Sequence, residues 1–369
     1  MKSSWLGAAH PVPKQSGSVD RFANLSRPVA AVILLLLAAL IVLGLALPTE
    51  FPIANPARGG GDNVRFYAQV IDRVRRGQPY PAAAVAELRA EHSAVRPFVV
   101  VRPPLLATAM ARLPNVATAD VILAVLAVAT AFAWAYRLID AGSGPVWLAG
   151  LALILFTGLA VPMNGHGTSL LHEAWAGVLI ALSLATRTDR RFTLSVALGL
   201  LAALIRELAM PYLLVMAVMA FRERRRAEAL AFTLALAATL VALAWHAHTV
   251  TALVTSHDLP SAGWVKFGGW SNVLRSDRWN LLVAAFGIWA AAFIAPLALL
   301  GAVSRKDGLG ERLAALLGGY AVGFMVVGRP ENAPWGLVTT PLVAVGLCLA
   351  IPALAALWRS ALNTNSRPV

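Results

Sequence analysis

The sequence predicts an all-α, polytopic membrane protein of about 10 membrane helices, two of them short and paired, with amphipathic helices on the first outer loop. Three observations predict it. Apolar residues make up 59% of the chain and charged residues only 13%, with a mean hydropathy of +0.70, outside the range of a water-soluble domain. The run from Pro28 to Pro48 is uncharged and long enough to cross a bilayer. The charges that remain lie in short clusters between apolar runs rather than along one basic face. The net charge of +13 therefore reads as topology signals and lipid headgroup contacts, and argues against nucleic acid as a partner.

The elements follow in chain order. Residues 1–27 carry Lys2, Lys14, Arg21 and Arg27 and are too long and polar for a signal peptide, so they read as a cytoplasmic tail. The run at 29–48 lacks a small-x-small cleavage site and is expected to be a retained first span. The polar stretch 49–115 is the first outer loop, within a single transmembrane domain covering 28–357. Inside it, Asn63 to Arg76 and Ala82 to Glu91 have helical patterns separated by Gly77-Gln78-Pro79-Tyr80-Pro81, which predicts two amphipathic helices lying on the membrane surface around a turn. Further spans are expected at 116–137, 147–162, 171–186, 228–248, 281–303, 312–328 and 335–357, before a cytoplasmic tail at 358–369. The single cysteine, Cys348, lies in an apolar run and cannot form an internal disulfide.

The stretch 192–221 has basic clusters at both ends, Arg187 to Arg191 and Arg222 to Arg226. The positive-inside rule places both on one face, which one crossing helix cannot satisfy. The expectation is two short helices that meet around Arg206-Glu207-Leu208-Ala209-Met210-Pro211 and return; the alternative is one tilted helix kinked at Pro211. On this map the outer side receives 49–115, 163–170, 249–280 and 329–334.

Candidate chemistry clusters on that side. Asp62 follows a span on the glycine-rich connection Gly59-Gly60-Gly61 and suits a general base acting where membrane meets water; it equally suits the cap of the helix expected from Asn63. Arg206 and Glu207 are costly at membrane depth unless paired or facing a polar cavity, so they are candidates to hold a phosphate and a sugar, or an ion pair locking two short helices. His172-Glu173 lacks a second histidine four residues after the first, which excludes a zinc-protease motif and leaves Glu173 and His172 as cavity-lining or interface residues. Arg102, Arg329, Asn332 and Trp335 can meet headgroups, phosphate or a sugar ring. Trp245-His246-Ala247-His248 reads as interface anchoring. No Walker sequence, dinucleotide fingerprint, paired-cysteine metal site or nucleophile elbow is present.

The first span, the loop opening on Gly61-Asp62, the segment Arg75-Arg76-Gly77-Gln78-Pro79-Tyr80, the charged tip between short helices and the late turn with Asn332, Trp335 and Gly336 together resemble the GT-C superfamily of integral membrane glycosyltransferases, over residues 28–357. The resemblance implies transfer of a sugar from a polyprenyl-phosphate donor to a lipid or glycan acceptor on the outer face of the cytoplasmic (inner) membrane, usually with inversion. It implies Asp62 as the base that deprotonates the acceptor and Arg206 as the group that stabilises the departing lipid phosphate. Many members carry two acids in the first loop, whereas the next acid here is Asp72, so a second acid in the site is not supported, no cofactor is fixed, and a divalent metal stays open without its two-acid motif. The competing reading is a transporter or flippase for a lipid or small solute, with Arg206, Glu207 and Glu173 as its binding site.

Overall fold

The computed structural model describes residues 20–47, 60–140, 158–159 and 167–362, with the side chains of 60–63, 140, 330 and 331 outside the description. Among these residues the chain is helical and contains no strand, only isolated backbone bridges. Among the described residues, five helices are long and apolar enough to cross a membrane. They are α1 (Arg27–Ala46), α5 (Val116–Asp140), α9 (Arg226–Thr251), α13 (Gly308–Val326) and α14 (Thr340–Leu362). Both α1 and α5 expose large apolar side chains, including Leu35, Leu36, Val125 and Phe132, which is the surface expected of helices solvated by lipid rather than water. The protein is a helical membrane protein; the expected span 147–162 lies almost wholly outside the described residues.

Between these helices the chain forms α2 (Gly60–Arg75), α3 (Tyr80–Ala90), α4 (Leu105–Met110), α6 (His172–Thr186), α7 (Thr193–Ile205), α8 (Met210–Arg222), α10 (Gly269–Ser276), α11 (Leu281–Phe286) and α12 (Ala291–Ser304). The 192–221 stretch is a helical hairpin. Helix α7 ends at Arg206, whose backbone is extended, a 3-10 turn covers Glu207–Ala209, and α8 restarts with Pro211 in its first turn, where the missing N–H costs nothing. Both outer ends meet: Arg225 Nη2 donates to the Asp189 carbonyl, and Arg187 Nη2 lies 3.3 Å from Glu223 Oε2. A single kinked span cannot bring those ends together.

Three boundaries differ from expectation. The run 281–303 is interrupted, because Gly287 adopts φ +93° between α11 and the 3-10 turn Ile288–Ala290 that leads into α12. The last run begins with a 3-10 segment, Pro330–Val338, and only then becomes α14, which continues through Leu362 into the expected tail. Helix α3 does not merely lie on a surface: Tyr80, Ala83, Ala84, Val85 and Leu88 are buried in the main core beside Val70 and Ile71 of α2. Prolines at its start and short alanines along its face let it pack close under the first loop.

The packing sorts the loops to opposite ends of the helices. At one end Arg312, fully buried at the start of α13, bonds Glu223 Oε2 at 2.8 Å, while Arg187 Nε meets Glu228 Oε1 at 2.9 Å. At the same end Arg21 Nη2 donates to the Arg305 carbonyl and Ser360 Oγ to the Phe22 carbonyl. At the other end Arg89 grips Asp258 through two bonds of 2.7 Å, Val95 N donates to the Leu259 carbonyl, and Val265 pairs with Val327. The first loop, the 249–280 connection and the end of α13 thus form one roof.

Candidate functional site

The candidate site lies beneath that roof, at the tip of the α7–α8 hairpin. Helix α7 breaks at Arg206, and the extended backbone there turns the guanidinium inward, where it is 0% exposed. Arg206 Nε donates to Glu173 Oε1 at 2.7 Å, and Nη1 donates to Glu207 Oε1. Glu173 sits in the first turn of α6, where the partial positive charge of a helix N-terminus favours a carboxylate. Arg102 Nη1 approaches Glu207 Oε1 at 3.9 Å. Two arginines and two glutamates therefore balance in one cluster, and removing one partner of such a buried pair costs about 3–5 kcal/mol.

Aromatic rings close the cluster. The Arg206 guanidinium lies over the Trp335 ring, 5.8 Å from its centroid, a cation–π arrangement. Tyr67 of α2 lies within the electrostatic reach of Arg102, and its ring stands 4.8 Å from that of His172. Burial pushes the Tyr67 hydroxyl above its ordinary pKa, with the Arg102 charge opposing that rise. Tyr80 donates to the Arg102 carbonyl at 2.9 Å, and Tyr320 of α13 donates to the Leu208 carbonyl at 2.7 Å, fixing the hairpin tip from behind. Several buried polar atoms of this cluster, Arg206 Nη2, Glu207 Oε2, Arg102 Nε and both ring nitrogens of His172, have no hydrogen-bond partner among the described residues. Their desolvation is a cost that a polar ligand would relieve.

No family model, curated protein or solved structure matches this chain. The site's chemistry must therefore be read from its own atoms. Among the expected residues, the structure brings together Arg206, Glu207, Glu173, His172, Arg102 and Trp335. Arg329 and Asn332 stand apart: Asn332 Oδ1 accepts from the Arg329 backbone N–H at 3.0 Å, so its amide serves its own turn, and both line a minute pocket with Asn272 and Arg275 on another side of Trp335. Asp62 lies in the first turn of α2, which begins at Gly60 rather than Asn63; its side chain is outside the described residues. Asp62 precedes Tyr67 by five residues, about 7.5 Å of helix rise. No group of three or more His, Cys, Asp or Glu side chains with metal-binding geometry occurs among the described residues.

Tyr67, Tyr80 and Tyr320 carry no distinguishing signal in the sequence, although Tyr80 stands in the segment that carries the resemblance. His246 is not the interface anchor that its neighbours suggest. His246 is instead 2% exposed, with Nε2 2.9 Å from the Val101 carbonyl, and only its neighbours Trp245 and His248 are exposed.

An apolar cleft of about 1380 Å³ opens beside the cluster. Its walls come from α9, the end of α7 and the Pro79–Ala82 and Pro103–Leu105 segments, and Glu207 lines it. The volume exceeds the roughly 300–1,000 Å³ of an ordinary small-molecule pocket.

Proposed function

We propose that this chain is a membrane glycosyltransferase that moves a sugar from a polyprenyl-phosphate donor to a lipid or glycan acceptor on the outer face of the cytoplasmic membrane. The observation that carries this reading is the meeting, at Glu207, of a buried arginine–glutamate cluster with an apolar cleft large enough for a lipid chain. A lipid-linked substrate has to bring a polar reacting end beside a charge-stabilising site while its chain stays in an apolar one, and this junction supplies both.

In the proposed reaction the acceptor oxygen attacks the anomeric carbon, the bond from that carbon to the phosphate oxygen breaks, and the configuration inverts. Asp62 takes the acceptor proton. The polyprenyl phosphate leaves with its added negative charge, which the unpartnered N–H groups of Arg206 and Arg102 are suited to receive. Trp335, already stacked on Arg206, offers an apolar face for the sugar ring. No metal enters this scheme.

The test is transfer from a radiolabelled polyprenyl-phosphate sugar in membranes holding the protein, with envelope glycans compared between cells that have and lack the gene. Asp62→Asn is expected to reduce transfer by at least a hundredfold while insertion and abundance stay unchanged. Full activity in that variant would remove Asp62 from the mechanism.

A further inference from the structure

The connection between α9 and α10 carries the most exposed large apolar side chains of the described residues. Val265 is 90% exposed and Phe267 78%, more than any large apolar side chain on the spanning helices themselves. The backbone imposes this exposure. A helix end leaves its last carbonyls without partners inside the helix, and those groups need donors. For α13 the segment 264–268 supplies them. Lys266 N donates to the Val326 carbonyl at 3.1 Å and Gly268 N to the Met325 carbonyl at 2.9 Å, while Gly328 N donates back to the Trp264 carbonyl at 2.8 Å. Val265 pairs antiparallel with Val327. Side chains alternate along such an extended strap. Trp264 turns in against the main core, so Val265 and Phe267 turn out.

What covers them follows from the helix to which the strap is tied. Helix α13 has 19 residues, which at a rise of about 1.5 Å each span roughly 28 Å, close to the roughly 30 Å of a hydrocarbon core. Its last residues therefore stand at the edge of the apolar layer on the roof side, and Phe267, beside Met325, stands no farther out than that edge. On the outward face of α13, Val322 and Val326 are exposed four residues apart and lead directly into Val327 and the strap. The strap thus continues a surface already solvated by lipid. Lys266, exposed between the two apolar residues, adds the basic neighbour common at a membrane interface. We infer that residues 264–268 are a membrane anchor, with Val265 and Phe267 seated among the lipid chains of the leaflet on the roof side. The anchor reaches the candidate site through Gly328, which is bonded to Trp264. A Cβ there would stand 3.6 Å from the Trp335 ring, the ring that stacks on Arg206. It stands whether or not the chain transfers sugar.

The experiment is depth-dependent fluorescence quenching on full-length protein in phosphatidylcholine nanodiscs. Cys348→Ala removes the one native thiol, and Phe267→Cys, Val265→Cys or Ser256→Cys then carries a bimane label, Ser256 being exposed in the same connection. A lipid nitroxide near the top of the acyl chain is expected to quench the labels at 265 and 267 at least threefold more than the label at 256. Aqueous iodide is expected to show the opposite order. Equal chain quenching at all three positions, or stronger iodide quenching at 265 and 267, overturns the inference. So does a disulfide formed between two copies through Phe267→Cys in most of the protein, which would make a second copy of the chain, and not lipid, the cover of the strap.

Discussion

Arg206 shows how much a single charge can reveal when its surroundings are apolar. Its place between Ile205 and Glu207 in a long hydrophobic stretch made it conspicuous in the sequence, because an arginine there needs a partner or a cavity. The structure supplies Glu173, Glu207 and the Trp335 ring. Arg206→Ala strips Glu173 of its ion-pair partner and leaves Glu207 only the more distant Arg102, and is expected to lower stability by about 3–5 kcal/mol. Arg206→Lys keeps the charge but loses the planar fork, so it should fold and still transfer sugar more than tenfold more slowly. A thermal-melt series alongside the transfer assay separates the two effects. Asp277 gives no such signal, since it stands beside Arg275 and Arg278 in a polar stretch. It is in fact 5% exposed, Oδ2 lacks a partner, and burial raises its pKa to about 7. Between about pH 4, the ordinary carboxylate range, and pH 7 the folded state then holds the proton more tightly than the unfolded state. Stability is accordingly expected to fall as pH rises across that window and to level off above it. Melting curves of Asp277→Asn should lose this dependence and lie above those of the unaltered protein at pH 8.

At the scale of elements, the hairpin was legible because two charge clusters could not both be satisfied by one crossing helix. The interruption of 281–303 was not, since Gly287 sits in an otherwise uniform apolar run and only its positive φ marks the break. Close helix approach was equally hidden. A Cβ on Gly346 of α14 would stand 2.5 Å from the Ala298 carbonyl oxygen, and one on Gly301 of α12 would stand 1.9 Å from the Gly346 carbonyl oxygen. These two glycines let α12 and α14 touch along their backbones, the small-residue packing that stands in for hydrophobic driving force inside a bilayer. Gly346→Val should separate the pair and cost about 1–3 kcal/mol, read as a lowered melting midpoint in detergent. Gly318, whose Cβ would meet nothing within 4 Å, provides the matched control and should accept alanine without loss.

For the whole molecule, hydropathy and charge placement made the membrane class and the grouping of loops legible. The site was legible as a set of separate polar residues on one side of the membrane map. Its assembly was not, because contacts such as Tyr67 with Arg102, or Arg89 with Asp258 across 169 positions, leave no periodic trace in a sequence. The Asp258 carboxyl is held below its usual range, first by the Arg89 hydrogen bond and then by the Thr255 backbone N–H. That clasp joins the first loop to the 249–280 connection beside the cleft, whose lining includes Leu253. Asp258→Asn should loosen the roof and raise hydrogen exchange in 80–102 and 252–262 together. Exchange confined to one of those segments would show that they move independently.

The returning hairpin also fixes an arithmetic of insertion. Because α7 and α8 begin and end at the same edge, the thirty residues from 192 to 221 contribute an even number of half-crossings and leave the parity of everything downstream unchanged. Reporter tags at Thr188 and at Arg224 should therefore label from the same compartment. Excising the hairpin should cost the chain Arg206 without inverting a single later helix, so the piece that carries the central charge is also the piece whose loss the topology would never register.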